Sequence, residues 1–287
     1  MTRPHTESPA LGGPKDTAAP ATRIGRLFGT LAREHRKGLV AFLTAGDPSP
    51  AHTPALVAAM VRGGADLIEL GVPFSDPIAD GPVIQRAGER ALTAGTSLAV
   101  VLDIARRIRA ASEVPLLLFT YLNPVLRYGL ERLARDAASA GIDGCLLTDA
   151  SVEEAETYVE TMHRHGLDTV FLAAPTSTAR RIRLVAKYST GFVYLVSRTG
   201  VTGERESLSA SVAPLVEAVR GATDLPLAVG FGVSTAAHVG ELGRQVEAVV
   251  VGSAFVRLIE RLGGSPSLEA ELEALTRQLK SGFGAMA

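Results

Sequence analysis

Two patterns of apolar and polar residues alternate along the chain from about residue 22 to about residue 262. Short runs rich in Val, Ile and Leu, without alternation of apolar and polar positions, are typical of parallel strands buried on both faces. These runs predict eight strands: Leu39–Leu43, Asp66–Leu70, Pro115–Tyr121, Gly144–Thr148, Thr169–Ala173, Phe192–Val196, Leu227–Val229 and Ala248–Val251. Amphipathic stretches with charges at helical spacing lie between them and predict helices.

Eight strands that alternate with helices over about 240 residues favour an α/β fold, the (β/α)8 or TIM barrel. The alternative is an open, doubly wound sheet, which usually has fewer strands. A nucleotide-binding sheet of that kind carries a G-x-G-x-x-G turn after its first strand. Here the turn reads Thr44-Ala-Gly-Asp-Pro48, so the barrel is the preferred prediction.

The first 21 residues differ from the rest in composition. They contain four prolines and almost no large apolar side chains, and such a segment cannot offset the entropy lost on ordering. We therefore expect a disordered tail over residues 1–21 and a single TIM-barrel catalytic domain over residues 22–287.

Composition excludes several functional classes. The formal net charge of −1 over 287 residues argues against a general electrostatic grip on nucleic acid. A single cysteine, Cys145, rules out an internal disulfide framework and a multi-cysteine metal site. No apolar stretch is long enough to span a bilayer and no signal peptide is present, so a cytoplasmic location is expected. The six histidines lie in the tail or in helical stretches, so we expect no metal site.

The active site of a barrel forms at the C-terminal ends of its strands, and the second strand carries the most informative residue. Glu69 interrupts an otherwise apolar strand, and burial would raise its pKa toward neutrality and suit it to transfer protons. A structural carboxylate is the alternative. Asp80, eleven residues later, can reach the same mouth as a second carboxylate. A turn-forming role is the alternative for Asp80. None of the four lysines follows a predicted strand, which disfavours a Schiff-base aldolase.

Glycines and hydroxyls cluster at the ends of the last three strands, where barrels often bind phosphate through backbone N–H groups. The candidates for such a site are Gly230, Gly232 and Gly252, the hydroxyls of Ser234 and Ser253, and further donors at Gly200 and Gly203. Tight turns alone are the alternative for each glycine. The aromatic residues at strand ends that fit an apolar pocket are Phe42, Tyr121, Tyr194 and Phe231. Core filling is the alternative, above all for Phe42.

Several motifs of this chain, in order, resemble those of the tryptophan synthase alpha subunit family over about residues 22–280. The most specific is the segment from Asp66 to Pro82, DLIELGVPFSDPIADGP. The others are LTAGDP (43–48), YLNP (121–124), APTST (174–178), SRTGVTG (197–203), VGFGVS (229–234) and VGS (251–253).

The resemblance implies retro-aldol cleavage of indole-3-glycerol phosphate to indole and glyceraldehyde 3-phosphate. It further implies that Glu69 is the general acid/base and that Asp80 binds the indole N–H and stabilises positive charge on the ring. The remaining roles implied are an indole pocket, a phosphate site and a closing loop. By the same resemblance Tyr194 would lie beside Glu69, and Phe42 and Phe231 would flank the indole. The phosphate would be held by Gly203, Gly232, Gly252 and Ser253, and Thr202 would belong to the loop that closes over substrate.

The resemblance also implies an α2β2 assembly in which a beta subunit carries pyridoxal phosphate, while the alpha subunit has no cofactor. The loop around Asp76 and Pro77, with Asn123, would face that partner. Three alternatives stay open: a stand-alone lyase with the same chemistry, a non-catalytic barrel that activates a beta subunit, and another phosphosugar barrel such as an isomerase.

Overall fold

The computed structural model of the chain describes residues 22–196, 208–230 and 232–286. The strands are β1 (Gly38–Thr44), β2 (Leu67–Gly71), β3 (Leu116–Thr120), β4 (Gly144–Leu147), β5 (Asp168–Val170), β6 (Leu172–Ala173), β7 (Val193–Val196), β8 (Leu227–Gly230) and β9 (Ala248–Val251). The helices are α1 (Arg23–Arg33), α2 (Thr53–Arg62), α3 (Pro82–Thr93), α4 (Leu98–Arg109), α5 (Leu122–Tyr128), α6 (Leu130–Ser139), α7 (Glu156–Arg164), α8 (Ala179–Tyr188), α9 (Leu208–Arg220), α10 (Ala236–Gly243), α11 (Ser253–Leu262) and α12 (Leu268–Ser281). The tail expected over residues 1–21 lies outside the described residues, and the assignment of one catalytic domain over 22–287 stays a prediction.

The strands form one parallel sheet in the order β5-β4-β3-β2-β1-β9-β8-β7-β6. Only Phe171 separates β5 from β6, and both belong to the predicted fifth strand. β5 pairs with β4 and β6 pairs with β7, so the chain itself closes the sheet at this strand. The predicted TIM barrel is confirmed, with its fifth strand divided in two. Among the described residues no helix combines the length and apolar character needed to cross a membrane.

Side chains on the strands point alternately toward the barrel interior and toward the surrounding helices. On β2, Leu67 belongs to the cluster inside the barrel, whereas Ile68 and Leu70 belong to the cluster beneath the helices. Glu69 therefore shares the inward direction of Leu67. In the strand register it lies beside Phe42 of β1.

Helix α1 closes the N-terminal end of the barrel. The Thr22 side chain caps the helix by accepting a hydrogen bond from the Gly25 N–H at 3.1 Å. Inside, the Phe28 and Phe192 ring centroids are 5.5 Å apart. Among the described residues this end of the barrel interior is filled by apolar side chains.

Acidic residues just before three strands bind the backbone of the neighbouring strand. The carboxylates of Asp66, Asp143 and Glu247 accept hydrogen bonds from backbone N–H groups at the starts of β1, β3 and β8. The donors are Leu39, Leu116 and Leu227, at 2.6, 2.8 and 2.8 Å respectively. Each acid also forms an ion pair: Asp66 with Lys280, Asp143 with Arg109 and Glu247 with Arg220. This end of the barrel is therefore a structural end, held by paired charges.

Candidate active site

A cavity of about 310 Å³ lies at the C-terminal ends of the strands. Strand ends and the loops that follow them supply its walls, as expected for a TIM barrel. Its lining includes Phe42, Glu69, Asp80, Ile84, Phe119, Tyr194, Gly232, Gly252 and Ser253. Both candidate carboxyl groups therefore border one space with Gly232, Gly252 and Ser253, the described residues that the resemblance assigns to phosphate.

Glu69 lies on the inner wall of this cavity and is only 1% exposed. Neither of its carboxyl oxygens has a hydrogen-bond partner among the described residues. Burial raises the pKa of Glu69 to about 8, because a low-dielectric surrounding disfavours the charged form. A structural carboxylate would be paired, so this geometry favours a group that reacts with something placed in the cavity.

Asp80 comes from the loop between β2 and α3 and reaches the cavity from another side. Burial raises the pKa of Asp80 to about 6, and a hydrogen bond from the Tyr121 hydroxyl opposes part of that rise. The loop is held at this point because the Ala79 N–H donates to the Tyr121 hydroxyl at 3.1 Å and the Gln85 amide donates to the Asp80 carbonyl at 2.9 Å. Asp80 is thus supported from behind and faces the cavity.

The two carboxyl groups differ in protonation at neutral pH. With a pKa of about 8, Glu69 holds its proton at pH 7, whereas Asp80, with a pKa of about 6, is mostly ionised. A pair of acids with separated pKa values is the arrangement that lets one donate a proton while the other stabilises positive charge.

Aromatic rings form the apolar part of the site. The Phe42 and Phe119 rings meet edge to face, with centroids 5.3 Å apart. Tyr194 lines the same cavity, and both burial and the nearby Glu69 charge raise the pKa of its hydroxyl well above the usual value. Tyr121 lies behind Asp80 rather than on the lining of this cavity.

The third part of the site consists of glycine turns and a helix N-terminus. Gly232, after β8, has a φ of +75°, a conformation that favours glycine. Gly252 is the N-cap of α11, which begins at Ser253. Free N–H groups at a helix N-terminus attract anions, so the site can hold a phosphate there.

Phe119 and Ile84 are two of the lining residues that the sequence did not single out. Phe119 is the last apolar residue of β3 and resembles a core residue in sequence, and Ile84 lies in the first turn of α3. Their common signal is position next to a strand end or its loop. Thr202, Gly203 and Phe231, which the sequence analysis also assigned, lie outside the described residues.

Comparison with known proteins agrees with this fold and cavity. The sequence model of the family described as "Tryptophan synthase alpha chain" matches residues 28–283. A tryptophan synthase alpha chain from Solibacter usitatus is 80% identical over 266 residues, which cover 93% of this chain and 100% of that protein. The one from Geobacter sulfurreducens is 49% identical and covers 92% of this chain and 99% of its own length.

Solved structures give the same result. The alpha subunit from Legionella pneumophila superposes with a TM-score of 0.83 at 33% identity, covering 92% of this chain and 99% of that one. A chain from the Pyrococcus furiosus tryptophan synthase α2β2 complex superposes with a TM-score of 0.79 at 38% identity, covering 84% of this chain and 97% of that one. The chain therefore belongs to the tryptophan synthase alpha chain family.

Proposed function

We propose that Glu69 and Asp80 together carry out the cleavage of indole-3-glycerol phosphate to indole and glyceraldehyde 3-phosphate, the lyase reaction of this family. The observation that supports these roles is one cavity that joins a buried, protonated Glu69, an ionised Asp80 and a glycine-rich anion site. Release of indole from indole-3-glycerol phosphate by the purified chain tests the proposal, and the absence of any release would contradict it.

In the first step Glu69 donates its proton to carbon C3 of the indole ring. This protonation removes the aromaticity of the five-membered ring and places positive charge on the ring nitrogen. Asp80 accepts a hydrogen bond from the ring N–H, and its carboxylate stabilises the cation where it develops. The Phe42 and Phe119 rings supply an apolar wall for the indole.

In the second step the bond between C3 and the glycerol carbon breaks. The hydroxyl on that carbon gives its proton to the Glu69 carboxylate, the oxygen becomes the aldehyde of glyceraldehyde 3-phosphate, and the bonding electrons return to the ring. Glu69 is then protonated again and indole is neutral. One buried carboxyl group thus returns to its starting state in each cycle, which explains why its high pKa suits the reaction.

The phosphate end holds the substrate in place for both steps. We assign the phosphate to Gly232, Gly252 and Ser253, where α11 begins. Binding energy at this distant group orients the reacting bond against Glu69.

The proposed protonation states predict a bell-shaped dependence of kcat/KM on pH. Asp80 must be ionised, so kcat/KM rises with pH through about 6, and Glu69 must be protonated, so it falls through about 8. Steady-state indole release between pH 5 and 9.5 measures both limbs. A rise through pH 8 instead of a fall would mean that Glu69 starts as a base.

Gly71 is expected to set the position of the Phe42 ring. A Cβ at residue 71 would lie 2.6 Å from Cζ of Phe42, so Gly71→Ala must displace the ring that borders the cavity. We expect kcat/KM for indole release to fall by about tenfold to a hundredfold, because small displacements misalign the substrate. The affinity for inorganic phosphate should fall less than kcat/KM, since Phe42 borders Gly252 but none of the groups assigned to the phosphate is replaced.

Gly88→Ala is the matched control for this substitution. Gly88 is also buried, in the middle of α3, and the nearest atom to an added Cβ is 4.0 Å away. Alanine is a better helix former than glycine, so this variant should keep wild-type turnover. Equal turnover in both variants would show that the Phe42 position does not matter to the reaction.

We further propose that the chain works with a tryptophan synthase beta subunit that carries pyridoxal phosphate and docks near the Asp80 loop. Ile78 on this loop is 84% exposed and Leu126 on α5 is 63% exposed. Beside them lies an apolar recess whose walls include Phe74, Leu98 and Tyr128. Large exposed apolar side chains around a recess are typical of a protein interface.

Addition of a beta subunit is expected to raise indole release. A partner on this face would hold the loop in the conformation that places Asp80 against the substrate, so we expect kcat to rise by about tenfold or more. The measurement is a titration of this chain with a beta subunit, and Ile78→Asp should weaken the activation without changing the rate of the chain alone. Full activity without a partner would favour the stand-alone lyase.

A further inference from the structure

An ion-pair network joins the helix that follows the Asp80 loop to the helix that begins at the phosphate end. Glu260 of α11 accepts hydrogen bonds from Arg86 of α3 at 2.6 and 2.9 Å and from Arg90 of α3 at 3.0 Å. Arg86 and Arg90 are four residues apart, so they lie on one face of α3. The Glu260 carboxylate thus accepts hydrogen bonds from both of these arginines.

The same network reaches the loop after β1. The Arg90 guanidinium donates from Nε and Nη2 to the two carboxylate oxygens of Asp47, at 2.8 Å each. Asp47 is 1% exposed, and a bidentate pair of this kind fixes direction as well as distance. Arg90 is therefore held between a buried carboxylate on one side and Glu260 on the other.

All three connected elements carry residues of the active site. Helix α3 begins two residues after Asp80 and contributes Ile84 to the cavity. Helix α11 begins at Ser253, and β1, which contributes Phe42, ends just before the loop that holds Asp47. The network therefore spans the indole end and the phosphate end of one cavity.

We propose that Arg86, Arg90, Glu260 and Asp47, here called the helix clamp, are positioning residues that fix the spacing between Asp80 and the phosphate site. The inference rests on the proposed function, because the substrate has to reach both ends at once. The affinity for a ligand with an indole ring and a phosphate joined by a short chain depends on this spacing, whereas the affinity for inorganic phosphate depends on the phosphate end alone. Misalignment of a two-ended ligand is costly even when the displacement is small.

The test compares Glu260→Ala with Glu273→Ala. Glu273 of α12 is a matched control because it also accepts from two arginines, Arg62 at 2.8 Å and Arg277 at 2.7 Å, and is similarly half-buried, but it lies outside the cavity walls. Both variants remove one carboxylate from a two-arginine pair. They differ in whether the pair connects elements of the active site.

Binding of two ligands is measured for each variant. They are inorganic phosphate and indole-3-propanol phosphate, the substrate analogue that lacks the glycerol hydroxyls. For Glu260→Ala we expect the affinity for indole-3-propanol phosphate and kcat/KM for indole release to fall by about tenfold to a hundredfold. The affinity for inorganic phosphate should change by less than about twofold. Glu273→Ala should match the wild type in all three measurements.

Thermal unfolding separates positioning from simple stability. If Glu260→Ala lowers Tm so far that it cannot be assayed, Glu260→Gln replaces it. Glutamine keeps an acceptor for one arginine, so its affinity for indole-3-propanol phosphate is expected to lie between those of the wild type and the alanine variant.

Equal loss of affinity for both ligands, or equal behaviour of the Glu260 and Glu273 variants, would overturn the helix clamp. Absence of indole release by the wild type would instead contradict the proposed function, so the two failures are distinguishable.

Discussion

Glu69→Gln is expected to lower the rate of indole release by about a thousandfold or more. Glutamine keeps the shape of the side chain but cannot donate a proton to C3 or accept one from the hydroxyl, and general acid–base catalysis is worth about 10²–10⁴ for each such role. Glu69 is the only described carboxyl group on the cavity wall besides Asp80, so no neighbour replaces it. Steady-state and single-turnover assays with indole-3-glycerol phosphate give the measurement.

The affinity of the Glu69→Gln variant for indole-3-propanol phosphate is the control for the integrity of the site. It should stay within a fewfold of wild type, because neither the phosphate end nor Asp80 changes. Glu113→Gln, an exposed carboxylate in an ion pair with Arg23, controls for loss of a negative charge elsewhere and should leave turnover intact. A Glu69→Gln variant with wild-type turnover would remove the central assignment of the mechanism.

The same substitution should increase stability at alkaline pH. In the folded chain Glu69 keeps its proton up to a pH of about 8, whereas an unfolded chain releases it near pH 4.3. Between these values the folded state binds one proton more, so the free energy of unfolding decreases as the pH rises. Removal of this penalty by Glu69→Gln is worth up to about 5 kcal/mol above pH 8. Urea unfolding of both proteins at pH 5 and pH 9 measures the difference.

Asp80→Asn is expected to lower kcat/KM by about a hundredfold to a thousandfold, the range found when one preorganised electrostatic partner of a transition state is removed. Asparagine can still accept a hydrogen bond from the indole N–H, but it carries no negative charge to stabilise the cation. The low-pH limb of the profile, which belongs to Asp80 with its pKa of about 6, should disappear together with the rate.

Asp76→Asn supplies the matched control on the same loop. Asp76 is exposed and its carboxylate accepts from the Ser75 hydroxyl at 2.5 Å, away from the cavity lining. Without a partner subunit this variant should release indole at the wild-type rate. Comparable losses in the two aspartate variants would indicate that the loop as a whole, and not the Asp80 charge, matters.

The strands were predictable because parallel strands buried on both faces leave uninterrupted apolar runs. For the same reason Glu69 could be identified as a candidate site residue from the sequence, since a carboxylate within such a run is exceptional. The division of the fifth strand at Phe171 was not visible, because it depends on two different neighbours, β4 and β7, and both halves have the same apolar character.

The supports of the site were harder to predict than its reactive groups. Tyr121 was expected to line the pocket, and its hydroxyl also supports the loop by accepting from the Ala79 N–H and donating to Asp80, which the sequence did not indicate. Glu260 and Arg90 look like ordinary charges on solvent-facing helices, and their pairing depends on how α3 and α11 pack. Contacts between elements distant in sequence leave no local sequence pattern, so they can be identified only from the three-dimensional structure.

The two carboxyl groups differ in what an outside molecule can reach. Glu69 lies in the middle of β2, a strand that pairs with β1 on one side and β3 on the other. Asp80 belongs instead to a loop on which Ile78 is exposed. An effector that favours one loop conformer over another by about 1.4 kcal/mol shifts the population of the competent state up to tenfold. Under the proposed roles, we therefore expect a partner that docks on this loop to change the stabilisation of the cation by Asp80 and to leave the position of Glu69 in β2 unchanged.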